Sequence, residues 1–327
     1  MSGGARELVL SPGPHLHADV STSRIMWTVN AALAPAALWG AFVFGWNALA
    51  VIAAAIAGAA GSEWLVARWQ KRPHPLRDGS AVCTGLLLAM TLPPLVPWWT
   101  AVLGAAFAIL VVKAMFGGLG YNLFNPALAG RAFMMATFPL AMTAGWAAPR
   151  AGFTVALDGL TTPTPLAVLK EQGLEAAFRT LTAAGSPWAS LVLGFRPGSI
   201  GEGSVVLLAL GAAVLVARGI IRLTIPLAVL AGTAIATAFS GAPLLHLLSG
   251  GLWLGAFFMA TDYVTAPTTR DGQLVFGLVI GLLTGLIRVF GGYPEGICYA
   301  ILIANTLTPA LNLWFRPKRV ALAGTPS

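Results

Sequence analysis

Leu88-Ala-Met90-Thr91, followed by an apolar run and then Lys113-Ala-Met-Phe116-Gly117-Gly118-Leu-Gly-Tyr121, has an echo later in the chain. The second copy reads Phe258-Met259-Ala-Thr261, an apolar run, and Arg288-Val-Phe290-Gly291-Gly292-Tyr293. Chance recurrence of Phe-Gly-Gly in a chain with 38 glycines is the competing explanation. The basic residue standing shortly before each copy argues against it. Each copy falls on the third to fifth helix of a five-helix half. Five is odd, so Phe116-Gly-Gly and Phe290-Gly-Gly fall on opposite sides of a membrane and the two halves are inverted. Inverted repeats with interrupted helices are a transporter-like plan that builds its sites at the repeat interface.

Composition supports a membrane setting. Of 327 residues 57% are hydrophobic and 9% charged, against about a quarter charged in soluble domains; the mean hydropathy is +0.81. A formal charge of +8 could point to nucleic acid, but the basic residues are spread over short loops rather than gathered on one face among aromatics. No nucleic-acid partner is expected, and membrane lipid is. The first 24 residues are polar and carry Pro12, Pro14, His15 and His17, which is unlike a cleavable signal. Cys83 and Cys298 lie in apolar, helical sequence and read as small buried side chains; two thiols cannot complete a four-ligand iron–sulfur site. The four histidines lack metal-ligand spacing, so no metal is assigned.

At roughly 20 residues per crossing, ten spans are expected near 25–45, 47–67, 79–97, 98–115, 125–143, 198–217, 223–240, 243–262, 274–290 and 293–313. The expected organisation is a cytoplasmic segment 1–24, a first five-helix repeat 25–144, a periplasmic loop 145–197, a second repeat 198–315 and a cytoplasmic tail 316–327. Arg6 and Arg24, the cluster Arg68, Lys71, Arg72 and Arg77, then Arg218 and Arg222, and finally Arg316, Lys318 and Arg319 fall on one side of this alternation. That side is the cytoplasm by the positive-inside rule, with both termini there and residues 145–197 outside.

The outer segment holds Asp158-Gly-Leu-Thr161-Thr-Pro-Thr164-Pro-Leu166, a turn bearing hydroxyls and a carboxylate in an otherwise apolar chain. Asp-x-x-Thr-x-x-Thr before Pro-Leu resembles the acceptor on which bacterial flavin transferases hang FMN by a phosphoester to the last threonine, here Thr164. The same residues also make a helix start, with Thr164 as N-cap and Pro165 at the first helical position. The two readings are compatible. A phosphate on an N-cap hydroxyl sits where free N–H groups and the helix dipole favour negative charge.

Several further stretches carry a family resemblance. They are DGSAVCTGLLLAMTLPP (78–94), GGLGYNLFNPALAGRAF (117–133), FFMATDYVTAPTT (257–269) and FGGYPEGICYAILIANTLTP (290–309), in that order around the Asp158–Leu166 motif. Together they resemble the RnfD/NqrB family of membrane flavoproteins, found in the Rnf ferredoxin:NAD oxidoreductase and the sodium-pumping NADH:quinone oxidoreductase. The resemblance covers nearly the whole chain, and the short N-terminus and total length are more similar to the RnfD branch. One departure is Thr161-Thr162-Pro163-Thr164, where the family usually has Ser-Gly-Ala-Thr; the modified threonine is kept and Pro163 stiffens the turn.

The resemblance implies an all-α, urea-transporter-like fold and an electron-transfer role in a multi-subunit complex of a bacterial inner membrane, coupled to outward movement of Na⁺ or H⁺. It implies covalent FMN at Thr164, with Asp158 and Thr161 as recognition residues. It also implies a non-covalent riboflavin near the inner face beside Asn122 and Asn125, whose amides complement the ring's carbonyl and N–H edge. Capping around Pro126 is the other reading of those asparagines. The implied partners are a periplasmic FMN subunit, iron–sulfur membrane subunits and a flavin transferase for maturation. Lys113, Arg131, Asp262, Arg288 and Glu295 sit near span ends, where snorkelling to the interface accounts for them. The competing functions are an NqrB-type component of a quinone reductase and a urea-transporter-like permease, which has no need of the Asp158–Thr164 motif.

Overall fold

The computed structural model describes residues 21–71, 76–149, 152, 161–182 and 186–316. Among them the secondary structure is helical, with one isolated bridge between Ala147 and Thr161. Four helices are long and apolar enough to cross a membrane: α1 (Thr22–Phe44), α2 (Trp46–Trp69), α14 (Arg270–Phe290) and α15 (Ile297–Trp314). Shorter apolar helices join them: α3 (Ser80–Met90), α4 (Trp98–Phe107, prolonged by a π-helical stretch to Ala114), α10 (Val205–Ala217) and α11 (Thr224–Thr237). Large apolar side chains such as Leu38, Leu210, Ile235 and Phe239 face outward. The core, by contrast, is rich in alanine. This is how a polytopic membrane protein is built, since lipid solvates the outer Leu and Phe and small residues let backbones approach.

Helices α11 and α14 pack backbone to backbone. A Cβ on Gly281 would collide with the Val229 carbonyl, and one on Gly285 with the Ala236 methyl. Thr233 Oγ1 bridges the two helices, donating to Val229 O (2.9 Å) within α11 and to Gly281 O (3.3 Å) across to α14. Glycine plays the same part between α2 and α3, where a Cβ on Gly85 would lie 2.7 Å from Ala55 O.

Several expected spans are shorter than a crossing or are broken, each for a local reason. The span 79–97 is helical only to Met90, as Pro93 and Pro94 cannot continue it. The span 125–143 becomes α5 (Pro126–Thr137) and α6 (Pro139–Ala144), because Pro139 forces Phe138 out of helical geometry. The span 198–217 is a short 3₁₀ turn (Ile200–Glu202) before α10. The span 243–262 splits into α12 (Pro243–Leu248) and α13 (Leu252–Leu254), the latter running into a π-helical stretch Gly255–Met259. The break falls at Ser249, Gly250 and Gly251, the two glycines having φ of 70° and 65°.

Residues 161–182 and 186–193 carry more regular structure than a polar connection. They form α7 (Pro165–Gln172), α8 (Leu174–Thr182) and α9 (Pro187–Leu193). Leu166, Val168, Ala177, Leu181 and Leu191 make a second small core with Ala242 and Leu245 of the α12 region. The Lys170 ammonium donates to Gly291 O, tying α7 to the Phe290-Gly-Gly turn. The tertiary fold therefore fixes where Thr164 stands.

Candidate functional site

Two clefts flank α5. At its start, Asn125, Pro126 and Ala127 line one, together with Asn122, Ser80, Lys113 and Asp262. Further along the same helix Arg131, Ala132 and Met135 line the other, together with Thr164, Glu295 and Tyr299. Asn125 and Arg131 are six positions apart, about 9 Å along a helix axis.

The Thr164 cleft has a volume of about 310 Å³, within the range of small-molecule sites. Thr164 is 5% exposed and is the N-cap of α7: its Oγ1 accepts from Ala167 N at 3.3 Å, and Pro165 occupies the first turn. The capping reading of this threonine therefore holds. Thr161 is exposed and pairs with Ala147 in the isolated bridge, while Thr162 N donates to Trp146 O at 3.2 Å. These contacts hold the turn against the α6 end. Asp158, the first residue of the motif, lies outside the described residues.

The same cleft is lined by an ion pair between Arg131 and Glu295. The guanidinium also donates to Thr91 O at the end of α3, so it closes the carbonyl end of a helix that stops inside the protein. Tyr293 and Tyr299, with ring centroids 5.2 Å apart, and Trp146 also line it. A flat aromatic ligand bearing polar edges suits this lining. Cys298 is buried there as well, its thiol 3.5 Å from Leu128 O.

The Asn122 cleft is tighter, about 100 Å³. Asn125 is an N-cap: Oδ1 accepts from Ala127 N (3.1 Å) and Leu128 N (3.3 Å), and Nδ2 donates to Met259 O (3.2 Å) at the end of the second interrupted helix. Asn122 Nδ2 donates to Phe124 O at 3.0 Å. Lys113 Nζ reaches Glu63 at 2.8 Å and Ser80 Oγ at 2.7 Å. Asp262 accepts from Val264 N (3.4 Å) and Thr265 Oγ1 (3.3 Å). Phe257, Phe258 and Tyr263 supply apolar and aromatic surface.

Snorkelling is corrected for four of the five charged residues to which it was applied. Lys113, Arg131, Arg288 and Glu295 are 2%, 6%, 3% and 9% exposed, and each finds its partners inside the protein. Arg288 donates to Glu295 O through Nε, to His246 O through one terminal nitrogen, and to Ser249 O and Gly250 O through the other. Leu248 O, at the end of α12 beside the break, accepts from Arg196 at 2.7 Å. Glu202 joins this region, accepting from Gly250 N at 3.1 Å and Ser199 Oγ at 2.9 Å. Glu202 and Arg196 had no sequence signal beyond their charge, since the α12–α13 break that helps bury them is about 50 positions away along the chain.

Apolar helices with lipid-facing Leu and Phe, enclosing two clefts lined by buried ion pairs and aromatic rings, define a polytopic membrane protein with internal polar sites. The chain belongs to the NQR2, RnfD, RnfE family, whose model matches residues 9–321. It is 44% identical over 318 residues, 95% of each chain, to a subunit of the proton-translocating ferredoxin:NAD(+) oxidoreductase complex of Clostridium ljungdahlii. It is 42% identical to a subunit of the Na(+)-translocating ferredoxin:NAD(+) oxidoreductase complex of Acetobacterium woodii, over 95% of this chain and 94% of the relative. A subunit of the ion-translocating oxidoreductase complex of Cronobacter sakazakii is 40% identical, over 94% and 97%.

Proposed function

We propose that this chain is the RnfD-type component of an Rnf-type complex and carries electrons between the ferredoxin and NAD couples, coupled to movement of Na⁺ or H⁺, the two ions that its relatives' names carry. FMN is bound covalently through a phosphoester to Thr164 Oγ1. The observation that carries this reading is the position of that hydroxyl: buried, at the N-terminus of α7, in a cleft with Arg131, Glu295, Tyr293 and Tyr299. The helix start favours the phosphate, and the tyrosines and Trp146 offer faces to a flat ring. When bound, FMN supplies reversible electron storage. The chain's own residues anchor it at one atom, hold its polar edge with charged groups and keep it from bulk water.

The Asn122 cleft is the proposed site of a second, non-covalent flavin, riboflavin, which Asn122 would help to hold; at about 100 Å³ the cleft is smaller than small-molecule sites usually are and would have to widen to take it. Asn125 makes its side-chain bonds within the protein and acts there by fixing the wall. The short stretch of α5 between the two clefts supports one carrier handing electrons to the other across a small gap. Asp158 and Thr161 are proposed as recognition residues for the flavin transferase. The partners are the other subunits of the complex, among them a periplasmic FMN subunit and iron–sulfur membrane subunits.

Ten crossings in two inverted halves, with Thr164 outside and both termini in the cytoplasm of a bacterial inner membrane, complete the proposal. Matched contacts support the repeat. Lys113 reaches Ser80 at the start of α3, and Arg288 reaches Ser249 and Gly250 just before α13. Arginines gather at one end: Arg24 and Arg218 line a common groove, and the Arg77 carbonyl accepts from Ser23 Oγ and Trp27 Nε1 of α1. Ultraviolet illumination of the denatured chain after electrophoresis tests the attachment. The native band is expected to fluoresce and Thr164→Val not to; equal fluorescence of both would reject Thr164.

A further inference from the structure

Helices α1 and α10 run antiparallel in close contact: a Cβ on Gly211 would lie 2.4 Å from Ala32 O, and one on Gly203 3.1 Å from the Trp39 ring. Backbones this close leave small residues on the floor of the seam, and a groove of about 530 Å³ opens along it. Leu210 and Val214 of α10 and Pro35 of α1 line it and are exposed. Pro35 carries no N–H, so the Ala31 carbonyl loses its helical donor, and both residues line the groove. From Pro35 to Arg24 the groove follows α1 for eleven positions, about 16 Å, which is roughly half of a hydrocarbon core about 30 Å thick.

One end of the groove is basic. Arg24 stands in the first turn of α1, and the antiparallel packing brings Arg218, which follows the last turn of α10, to the same end. Among the described residues the Arg218 guanidinium has no hydrogen-bond or ion-pair partner, and no acid lines the groove. Asp78, in the turn that meets the start of α1, is taken up by Ser80, whose N and Oγ donate to it at 3.0 and 2.9 Å. Trp27 lines the groove, half exposed, while its Nε1 donates to Arg77 O at 3.3 Å. An indole with an apolar body and a bonded N–H suits the boundary between hydrocarbon and headgroups.

We propose that this groove holds an anionic phospholipid, one acyl chain lying along the α1–α10 seam and the phosphate between Arg24 and Arg218. Guanidinium forks match phosphate oxygens, and basic groups at the membrane boundary favour anionic headgroups. The charge is confined to the mouth and the remaining length is apolar, which is the distribution of a lipid. Snorkelling alone would leave both arginines among the headgroups with no place for one particular lipid. The bound lipid braces two helices that stand far apart in the sequence. Neither the face of the membrane at which this end lies nor the flavin enters.

The test supplies the purified, detergent-washed complex with equimolar phosphatidylglycerol and phosphatidylcholine and reads the retained lipid by native mass spectrometry. The native complex is expected to keep phosphatidylglycerol in preference. Arg24→Gln and Arg218→Gln should each weaken its binding roughly 5-fold, and the double variant roughly 30-fold, with phosphatidylcholine unaffected. Arg218→Lys should retain most of the preference. Arg68→Gln, which removes an exposed charge outside the groove, should retain all of it. A native complex without preference would overturn the proposal, as would a double variant that keeps it. So would an Arg68→Gln loss as large as that of Arg218→Gln, the mark of diffuse surface charge. If the double variant fails to assemble, Arg218→Gln decides alone, and native preference in it counts against the site. A photo-crosslinking residue at Leu210, activated in intact membranes, identifies the occupant. An anionic-lipid adduct is expected; a crosslink to a neighbouring subunit, or to lipids merely in proportion to their abundance, would reject the assignment.

Discussion

The Asn122 cleft and the Thr164 cleft share α5 and treat their buried charges differently. Around Asn122, Lys113 is matched by Glu63 and Ser80, Asp262 has donors on both oxygens, and Asn125 uses both ends of its amide. Around Thr164, Arg131 and Glu295 pair with each other and Glu295 keeps an oxygen free. The first arrangement is what stability alone would select, because paired polar groups cost least when buried. The second leaves one buried carboxylate oxygen without a partner among the described residues. Glu63 is also the more accessible acid: its side chain is 20% exposed, against 12% for Glu295.

That contrast makes the largest expected effect the loss of Arg131. Arg131→Leu strands Glu295 and uncaps the Thr91 carbonyl, and should cost about 3–5 kcal/mol, read as a lowered thermal midpoint of the detergent-solubilised protein. Lys113→Leu should cost less, about 1–3 kcal/mol, because Glu63 can turn to water. If the two variants lose equal stability, the clefts do not differ as described.

A milder change separates the ligands of the two clefts. Replacing Asn122 and Asn125 together with leucine should release the non-covalent flavin while in-gel fluorescence stays at the native level, with a stability loss of about 0.5–2 kcal/mol from the missing cap. Unchanged riboflavin in the acid extract of the double variant would reject that site. Smaller still is the effect of Thr161→Val, whose exposed side chain is removed from the attachment atom. It should lower the labelled fraction without abolishing it, measured as fluorescence per unit protein, and complete loss would give Thr161 a larger part than recognition.

Much of the fold is legible in the residues alone. Thr164-Pro165 announces a helix start because N-cap hydroxyl and N1 proline are local chemistry, and α7 begins there. Asn125-Pro126 does the same for α5. Helices α1, α2 and α14 lie within a few residues of their expected bounds, since a long apolar run is read directly. That several spans are short or interrupted by Gly and Pro is readable in the sequence, but where each break falls is not, because a window of about 20 residues averages over Leu92-Pro-Pro and Ser249-Gly-Gly, whose backbones do not continue a helix. Arg131 and Glu295 are 164 positions apart, so neither residue announces the other. Near span ends, snorkelling is the natural account of such charges as long as their partners are unknown. The small core of α7–α9 is hard to read because its apolar residues are few and part of its surface is supplied by the α12 region.

The most direct test of covalent flavin at Thr164 is the mass of the intact chain. The native protein from its own host should be heavier than its sequence by one FMN less water, Thr164→Ser should carry the same addition on part of the chains, and Thr164→Val should have the bare mass. A Thr164→Val chain that still carries the added mass, or a native chain that never does, would contradict it.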